Sequence, residues 1–285
     1  MEFKTIAVHL DHAPSCEGRV EVAARLACAH GSHLVGVLPT GLPVGAPVAL
    51  PLEWEEDAPG FDSEADYIEL RAQAIGHVFD TLIRRYGPPS HEFRKAGGSP
   101  IDALVGSARA SDLMIIGCAD ADAGERGRHP AMTARELADQ MVMHAGRPVL
   151  SVPAAGAFRT LGERVLVAWD SSRESALALR DALPLLRKAS AVVLATLCES
   201  GPFAQPQLHG REVIEWLARH EVRAELEQYH AAGGIPDGLR SCATLMDADL
   251  IVMGGYAHGS LRERLLGGVS RDMLSQMQVP VLMSH

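Results

Sequence analysis

The chain contains one internal duplication, and this limits it to two copies of a single folding unit. Ile6-Ala7-Val8-His9-Leu10-Asp11, a strand-like run ending in an acid, returns 159 residues later as Val165-Leu166-Val167-Ala168-Trp169-Asp170. Ala96-Gly97-Gly98-Ser99-Pro100 returns as Ala232-Gly233-Gly234-Ile235-Pro236, an offset of 136. Ser111-Asp112-Leu113-Met114-Ile115-Ile116-Gly117 returns as Ala248-Asp249-Leu250-Ile251-Val252-Met253-Gly254, an offset of 137. Arg147-Pro148-Val149-Leu150-Ser151 returns as Val279-Pro280-Val281-Leu282-Met283, an offset of 132. Four matches in one order mean two homologous domains, 1–153 and 162–285, joined by a linker over Pro153–Gly162. The drop from 159 to 136 requires about 23 extra residues inside the first copy. Pro39 to Asp62 supplies them. That stretch is rich in Pro and Gly, then acidic through Glu53, Glu55, Glu56 and Asp57, as expected of a surface loop or a lid leading into a helix near Ser63.

Each copy alternates strand and helix. In the second, strands are expected over Arg164–Asp170, Ala191–Leu197, Val222–Tyr229, Leu250–Gly254 and Val279–Met283. Helices are expected over Ser172–Lys188, Gly210–His220 (Trp216 and Leu217 inward), Gly238–Met246 and after Gly267. Ser171 or Ser172 caps the first of these, with Glu174 in its first turn. The strands are apolar without two-residue alternation, as in a parallel sheet buried on both faces. The expected fold is α/β: two tandem, doubly wound, open parallel-sheet domains of Rossmann-like type.

Composition narrows the partners. Lys and Arg number 26 against 36 Asp and Glu, a net charge of −10, which argues against broad binding of nucleic acid or an anionic membrane surface. The imbalance is concentrated in residues 1–153, with 13 basic and 21 acidic residues, so an anionic ligand is expected to prefer the second copy. No apolar run reaches spanning length, no secretory leader pattern opens the sequence, and five scattered cysteines form no C-x-x-C pair. The expectation is a soluble cytoplasmic protein with reduced thiols.

In an open parallel sheet, ligands sit beyond the carboxyl ends of the strands where the strand order reverses. The second copy places two features there. One is Asp170. The other is the glycine-rich stretch from Gly254-Gly255-Tyr256 through Gly267-Gly268, followed by a helix whose N-terminus opens at Val269. Glycine lets backbone N–H groups converge on phosphate, and a helix N-terminus attracts anions. Glycine also serves plain turns, so the spacing by itself leaves both readings open.

The duplicated pattern of strand-Asp, Gly-x-Pro turn, Asp-Leu-Ile-Val-Met-Gly and terminal Val-Pro-Val-Leu resembles the universal stress protein family over nearly the whole chain. ATP-binding members carry Gly-x2-Gly-x9-Gly-Ser/Thr after the fourth strand. Laid on this chain, the pattern runs Gly254, Ala257, nine residues from His258 to Leu266, then Gly267-Gly268. Spacing is intact. Two identities depart, because Ala257 adds a methyl and Gly268 lacks a hydroxyl, which Ser270 stands two residues away to replace. The resemblance implies an adenine nucleotide, ATP with magnesium, held by Asp170, Thr196, Gly254, Ala257, Gly267, Gly268, Val269 and Ser270. It also implies a stress-response binding or signalling role with a protein partner the sequence does not identify. Single-copy members dimerise through the last strand, so the two copies are expected to pair through Val149–Val152 and Val281–Met283 as an internal pseudo-dimer. Each of those runs follows a proline.

The first copy keeps Asp11, but Asp120 and Asp122 follow Gly117, and no glycine pair opens a helix near Met132–Thr133. Carboxylates there repel phosphate, so this copy reads as structural. His9 and His12 straddle a strand end, with His30 and His33 nearby, but a third zinc ligand is missing from the pattern and no metal site is assigned. Ser171, Ser172 and Ser175 have no positioned histidine to activate them. Arg262 and Arg264 fit phosphate contact and loop solvation equally. No catalytic residue is assigned. Two alternatives to a nucleotide-binding protein stand: an interaction scaffold with both sites empty, and a slow ATPase or autophosphorylating protein.

Overall fold

The computed structural model describes residues 2–40, 64–118, 134–198, 210–231, 233–256 and 268–285. The first half runs β1 (Thr5–His9), α1 (Cys16–His30), β2 (His33–Pro39), α2 (Glu64–Tyr86), β3 (Ser90–Ala96), α3 (Pro100–Arg109), β4 (Leu113–Cys118), α4 (Ala134–His144) and β5 (Val149–Pro153). The second half runs β6 (Arg164–Ala168), α5 (Arg173–Asp181), α6 (Leu183–Leu186), β7 (Ala191–Cys198), α7 (Gly210–Arg219), β8 (Glu225–His230), α8 (Ile235–Leu245), β9 (Leu250–Gly254), α9 (Gly268–Gln276) and β10 (Val281–Ser284). The inserted stretch falls almost entirely at 41–63, outside the described residues.

All ten strands join one sheet, ordered β3-β2-β1-β4-β5-β10-β9-β6-β7-β8. Each half contributes five strands in the same order, and neighbours within a half are parallel. The halves meet where β10 pairs antiparallel with β5, Leu282 opposite Leu150. Pro148 and Pro280 lack a donor, so pairing starts just after each proline. The expected pairing through the last strands is therefore present, and it turns two sheet edges into a continuous interior.

Apolar residues fill both faces. On one face Ile6, Val8, Leu150, Val167 and Leu282 pack with α1, α2 and α5. On the other Ala7, Met114, Val149, Ile251 and Met283 pack with α3, α4, α8 and α9. Leu150 and Leu282 are completely buried, and a buried leucine contributes roughly 1.5–3 kcal/mol. A charge at either position would break the junction. The repeated acids Asp112 and Asp249 work at the opposite end of the sheet from the candidate site. Asp112 accepts from the backbone N–H groups of Lys4 and Thr5, and Asp249 from those of Gly162, Glu163 and Arg164. Each carboxylate thereby fixes where a first strand begins.

Several boundaries differ from the sequence reading. The helix expected over Ser172–Lys188 divides at Ala182, because Pro184 has no N–H to donate and its ring crowds the preceding turn. α8 starts at Ile235 rather than Gly238, since Pro236 is suited to a first helical turn and Gly234 makes the bend with φ +95°. β8 starts at Glu225 rather than Val222. Glu221 adopts φ +65° to end α7, and the N–H of Val222 goes back to the carbonyl of Leu217. β6 ends at Ala168, two residues short of Asp170. In α7 Leu217 is fully buried, while Trp216 is only partly buried against the core.

Candidate functional site

β6 and β9 are neighbours, yet the helices that follow them lie on opposite faces of the sheet. The crevice beyond their carboxyl ends is the switch point of the second half. α5 borders it on one side, beginning at a built cap. Ser172 is extended (φ −75°, ψ 163°), and its hydroxyl accepts from the N–H of Ser175 at 3.0 Å. Asp170 is exposed, and its carboxylate accepts from the N–H of Ser172 at 2.9 Å across Ser171, which sits at φ +63°. Asp11 makes the same turn in the first half, accepting from Ala13 at 3.0 Å. The repeated acid thus has a turn-forming task in both copies.

Gly254 lies where β9 runs against the first turn of α5. A Cβ there would sit 2.6 Å from the nitrogen of Ser175 and 2.8 Å from the carbonyl carbon of Glu174. Its neighbour Gly255 faces α4 of the first half, where a Cβ would be 2.5 Å from Val142 Cγ1. Both glycines are imposed by packing. Gly268 differs, because no described atom lies within 4 Å of the position its Cβ would take, and α9 begins there. Val269 is half-buried. Ser270 is buried, and its hydroxyl accepts from the N–H of Tyr256 at 3.0 Å, stitching the end of β9 to the start of α9. The proposed replacement of the missing hydroxyl by Ser270 therefore meets a side chain already engaged within the loop. Thr196, on β7, is buried, with its hydroxyl 3.4 Å from the carbonyl of Glu227. Ala257, Gly267, Arg262 and Arg264 lie outside the described residues, as do Asp120 and Asp122 of the first half.

Three features escaped the sequence reading. The first is Trp169, beside Asp170. It is buried, and its indole N–H has no hydrogen-bond partner among the described residues.

The second is Arg19, on α1, buried at the corresponding switch point of the first half. Its Nε donates to the carbonyl of His9 at 2.7 Å, and its NH2 lies 2.9 Å from the carboxylate of Asp11. Its NH1 lies within 2.0 Å of where a Cβ on Gly117 would stand. Burial opposes charge on Asp11, but the Arg19 guanidinium, with the hydrogen bond from Ala13, holds its carboxyl below the usual range. His9 is buried, 3.7 Å from Asp11, and burial with the adjacent guanidinium lowers its pKa to about 3. It is a neutral core imidazole. Among the described residues no group of three or more His, Cys, Asp or Glu assembles that could hold a metal ion. At the repeat offset of 159, Arg19 corresponds to Ala178, which is fully buried. One switch point is thus filled by a guanidinium, and its counterpart carries a methyl.

The third feature crosses between the halves. The hydroxyl of Tyr256 donates to Asp139 on α4, whose other oxygen is 3.5 Å from Nε of Arg271 on α9. Burial and the Asp139 carboxylate raise the pKa of the phenol, which keeps its proton. The sequence held a signal, because Asp139 and Arg271 are separated by the same 132 residues as the repeated terminal strands.

Comparison with known proteins fits this geometry. Residues 162–285 match the model of the Universal stress protein family. No curated protein matches the chain. Among solved structures, a universal stress protein from Archaeoglobus fulgidus DSM 4304 is similar over 98% of this chain and 94% of its own, at TM-score 0.71 and 16% identity. A functionally unknown protein from Pseudomonas aeruginosa PAO1 is similar over 98% of this chain and 92% of its own, at TM-score 0.55 and 16% identity. At such identities the likeness is one of fold. Among the described residues no helix is long and apolar enough to cross a membrane. Residues 162–285 form a domain of the universal stress protein family, and through the whole of its ten-stranded sheet the chain has the fold of a universal stress protein.

Proposed function

We propose that the chain is a tandem universal stress protein of two domains, 1–153 and 162–285, whose second domain binds an adenine nucleotide. ATP with magnesium is the expected ligand, and the role is stress-response binding or signalling in the cytoplasm. The observation that carries this reading is the difference between the two switch points. Arg19 sets a guanidinium against Gly117 in the first, whereas at the second Ala178 stands in the place of Arg19 and Gly254 meets the first turn of α5 instead. The first domain is then a structural partner.

The second site suits the ligand in three respects. The start of α9 at Gly268 offers backbone N–H groups and a helix dipole to phosphate, with no described atom within 4 Å of where its Cβ would stand. Asp170 stands exposed at the mouth, with Thr196 on the neighbouring strand. The indole N–H of Trp169 is a buried donor of the kind a bound base or ribose satisfies. Gly254, Ala257, Gly267, Gly268 and Val269 would supply the phosphate side, with Ser270 supporting the loop from behind. Magnesium would arrive with the triphosphate.

One observation favours the competing reading of a nucleotide-free scaffold. The hydroxyl of Ser270 is engaged by Tyr256, and Gly268 brings none. No general base is assigned, so no hydrolytic step is proposed. The deciding experiment is mass spectrometry of gently purified protein for bound nucleotide, followed by calorimetry with ATP and magnesium. A co-purifying adenine nucleotide, or saturable ATP binding at one site per chain, supports the reading. Absence of both refutes it and leaves the scaffold.

A further inference from the structure

We propose that Asp139, on α4 of the first half, is a positioning residue for the ligand site of the second half, acting through the hydroxyl of Tyr256. The inference rests on the nucleotide reading for what the site holds, but not for the existence of the contact.

Tyr256 directly follows Gly254 and Gly255, and it adopts φ +54°, a conformation that costs a side-chain-bearing residue energy unless its surroundings hold it. Two bonds hold it. Its backbone N–H goes to Ser270 in the first turn of α9, and its hydroxyl goes to Asp139. Asp139 also pairs with Arg271, the residue after Ser270. The carboxylate of one half therefore grips both sides of the glycine stretch in the other. Gly255 completes the arrangement. Its N–H donates to the carbonyl of Ser284 at 2.9 Å, its carbonyl lies 3.0 Å from Nδ1 of His285, and Val142 of α4 closes over its α-carbon. The Asp139 side chain is only 14% exposed, so its bonds are weakly screened, and breaking one leaves a poorly solvated charge.

The duplication shows that this grip runs one way. At the offset of 132, Asp139 corresponds to Arg271 and Val142 to Leu274; at 137, Cys118 corresponds to Gly255 and Ala119 to Tyr256. Close approach is kept on both sides, since the Cys118 thiol donates to the carbonyl of Leu274 where Gly255 packs against Val142. The phenol is not, because alanine at 119 has no hydroxyl to offer. In an assembly of identical copies, like charges would face each other at the Asp139 and Arg271 positions. Duplication allowed them to become opposite, and so allowed the first half to brace the site of the second.

Coupling of this kind is reciprocal, so a ligand that orders residues 254–256 must also tighten α4. The test uses the full chain, with Tyr256→Phe, Asp139→Ala, the double variant and Asp139→Asn, each confirmed folded by circular dichroism. In the absence of ligand, amide exchange at Gly255 and Tyr256 should speed up by roughly 5- to 30-fold in either single variant, and no further in the double. ATP affinity should fall over a similar range with the same non-additivity. Asp139→Asn, whose amide oxygen still accepts from the phenol, should retain affinity within about twofold. ATP should slow exchange across 134–144 in the wild type but not in Tyr256→Phe. Unchanged exchange at 254–256 in both single variants overturns the inference, as do additive losses of ATP affinity. If wild-type protein binds no ATP, the nucleotide reading falls, and ligand-free exchange still decides the grip of Asp139 on Tyr256.

Discussion

Replacing Gly254 by alanine tests the geometry of the site at its tightest point. The added methyl would lie 2.6 Å from Ser175 N, 2.8 Å from the Glu174 carbonyl carbon and 2.9 Å from Glu174 Cβ. Comfortable separations between carbon atoms are about 3.5–4.0 Å, so β9 and α5 would have to separate by about 1 Å. The first two obstacles are backbone, and no rotamer change relieves them. Overpacking of this kind costs about 1–3 kcal/mol. The same N–H of Ser175 receives the cap from Ser172, and losing a cap costs about 1 kcal/mol more. The expected destabilisation is about 2–4 kcal/mol, read in equilibrium urea unfolding as a lower midpoint at constant slope. Gly268→Ala is the control. It meets no described atom within 4 Å and begins a helix, so it should be neutral or stabilise by up to about 1 kcal/mol. A Gly254→Ala protein within about 0.5 kcal/mol of wild type would show that β9 does not press on α5. An equal loss from both variants would show that glycine is needed at each for some reason other than contact.

Other outcomes follow from the two switch points. Arg19→Ala should lower unfolding free energy by about 3 kcal/mol, near the lower end for a broken buried pair because the Asp11 side chain keeps 32% exposure. Ala178→Arg should abolish ATP binding in calorimetry by placing in the second half the cation that fills the first. Stability should also fall in mild acid. His9, with its pKa lowered to about 3, and half-buried His30, lowered to about 4, are neutral in the folded protein and protonate near 6.5 once unfolded. The unfolded state then binds more protons below pH 6.5, so the contribution is complete above that pH and is lost as pH falls toward 3–4. His9 adds a slope of up to about 1.4 kcal/mol per pH unit, and urea titrations of His9→Asn should show a shallower dependence. Restoring the two altered loop identities with Ala257→Gly and Gly268→Ser should tighten ATP binding by about 1–3 kcal/mol in the same calorimetry, and no gain would mean those identities do not limit affinity.

How far the sequence reached follows from the range of the forces involved. Backbone pairing and burial repeat along the chain, so two copies of strand-Asp, Asp-Leu-Ile-Val-Met-Gly and Pro-Val-Leu were enough to read the parallel five-stranded unit and its duplication. That Val149–Val152 and Val281–Met283 would meet came from the family resemblance, together with the unpaired edge such strands present. Local stereochemistry was read less well. The break at Pro184 and the early start of α8 depend on where a ring can sit in a turn, and the apolar pattern alone passes over both.

The site divides in the same way. Asp170 and the glycines were legible because their spacing is a property of the chain, but the tasks of these residues were not. Only the tertiary structure showed that Gly254 and Gly255 are demanded by α5 and Val142, that Ser270 holds Tyr256, and that Arg19 fills the first switch point. Each of these depends on side chains brought together from 10 or more positions apart. Sequence determined that this protein would be two alternating α/β units sharing an edge. Which groups crowd the ends of the same strands was decided by the fold, because packing sets the Arg19 guanidinium against Gly117 in one half and the first turn of α5 against Gly254 in the other.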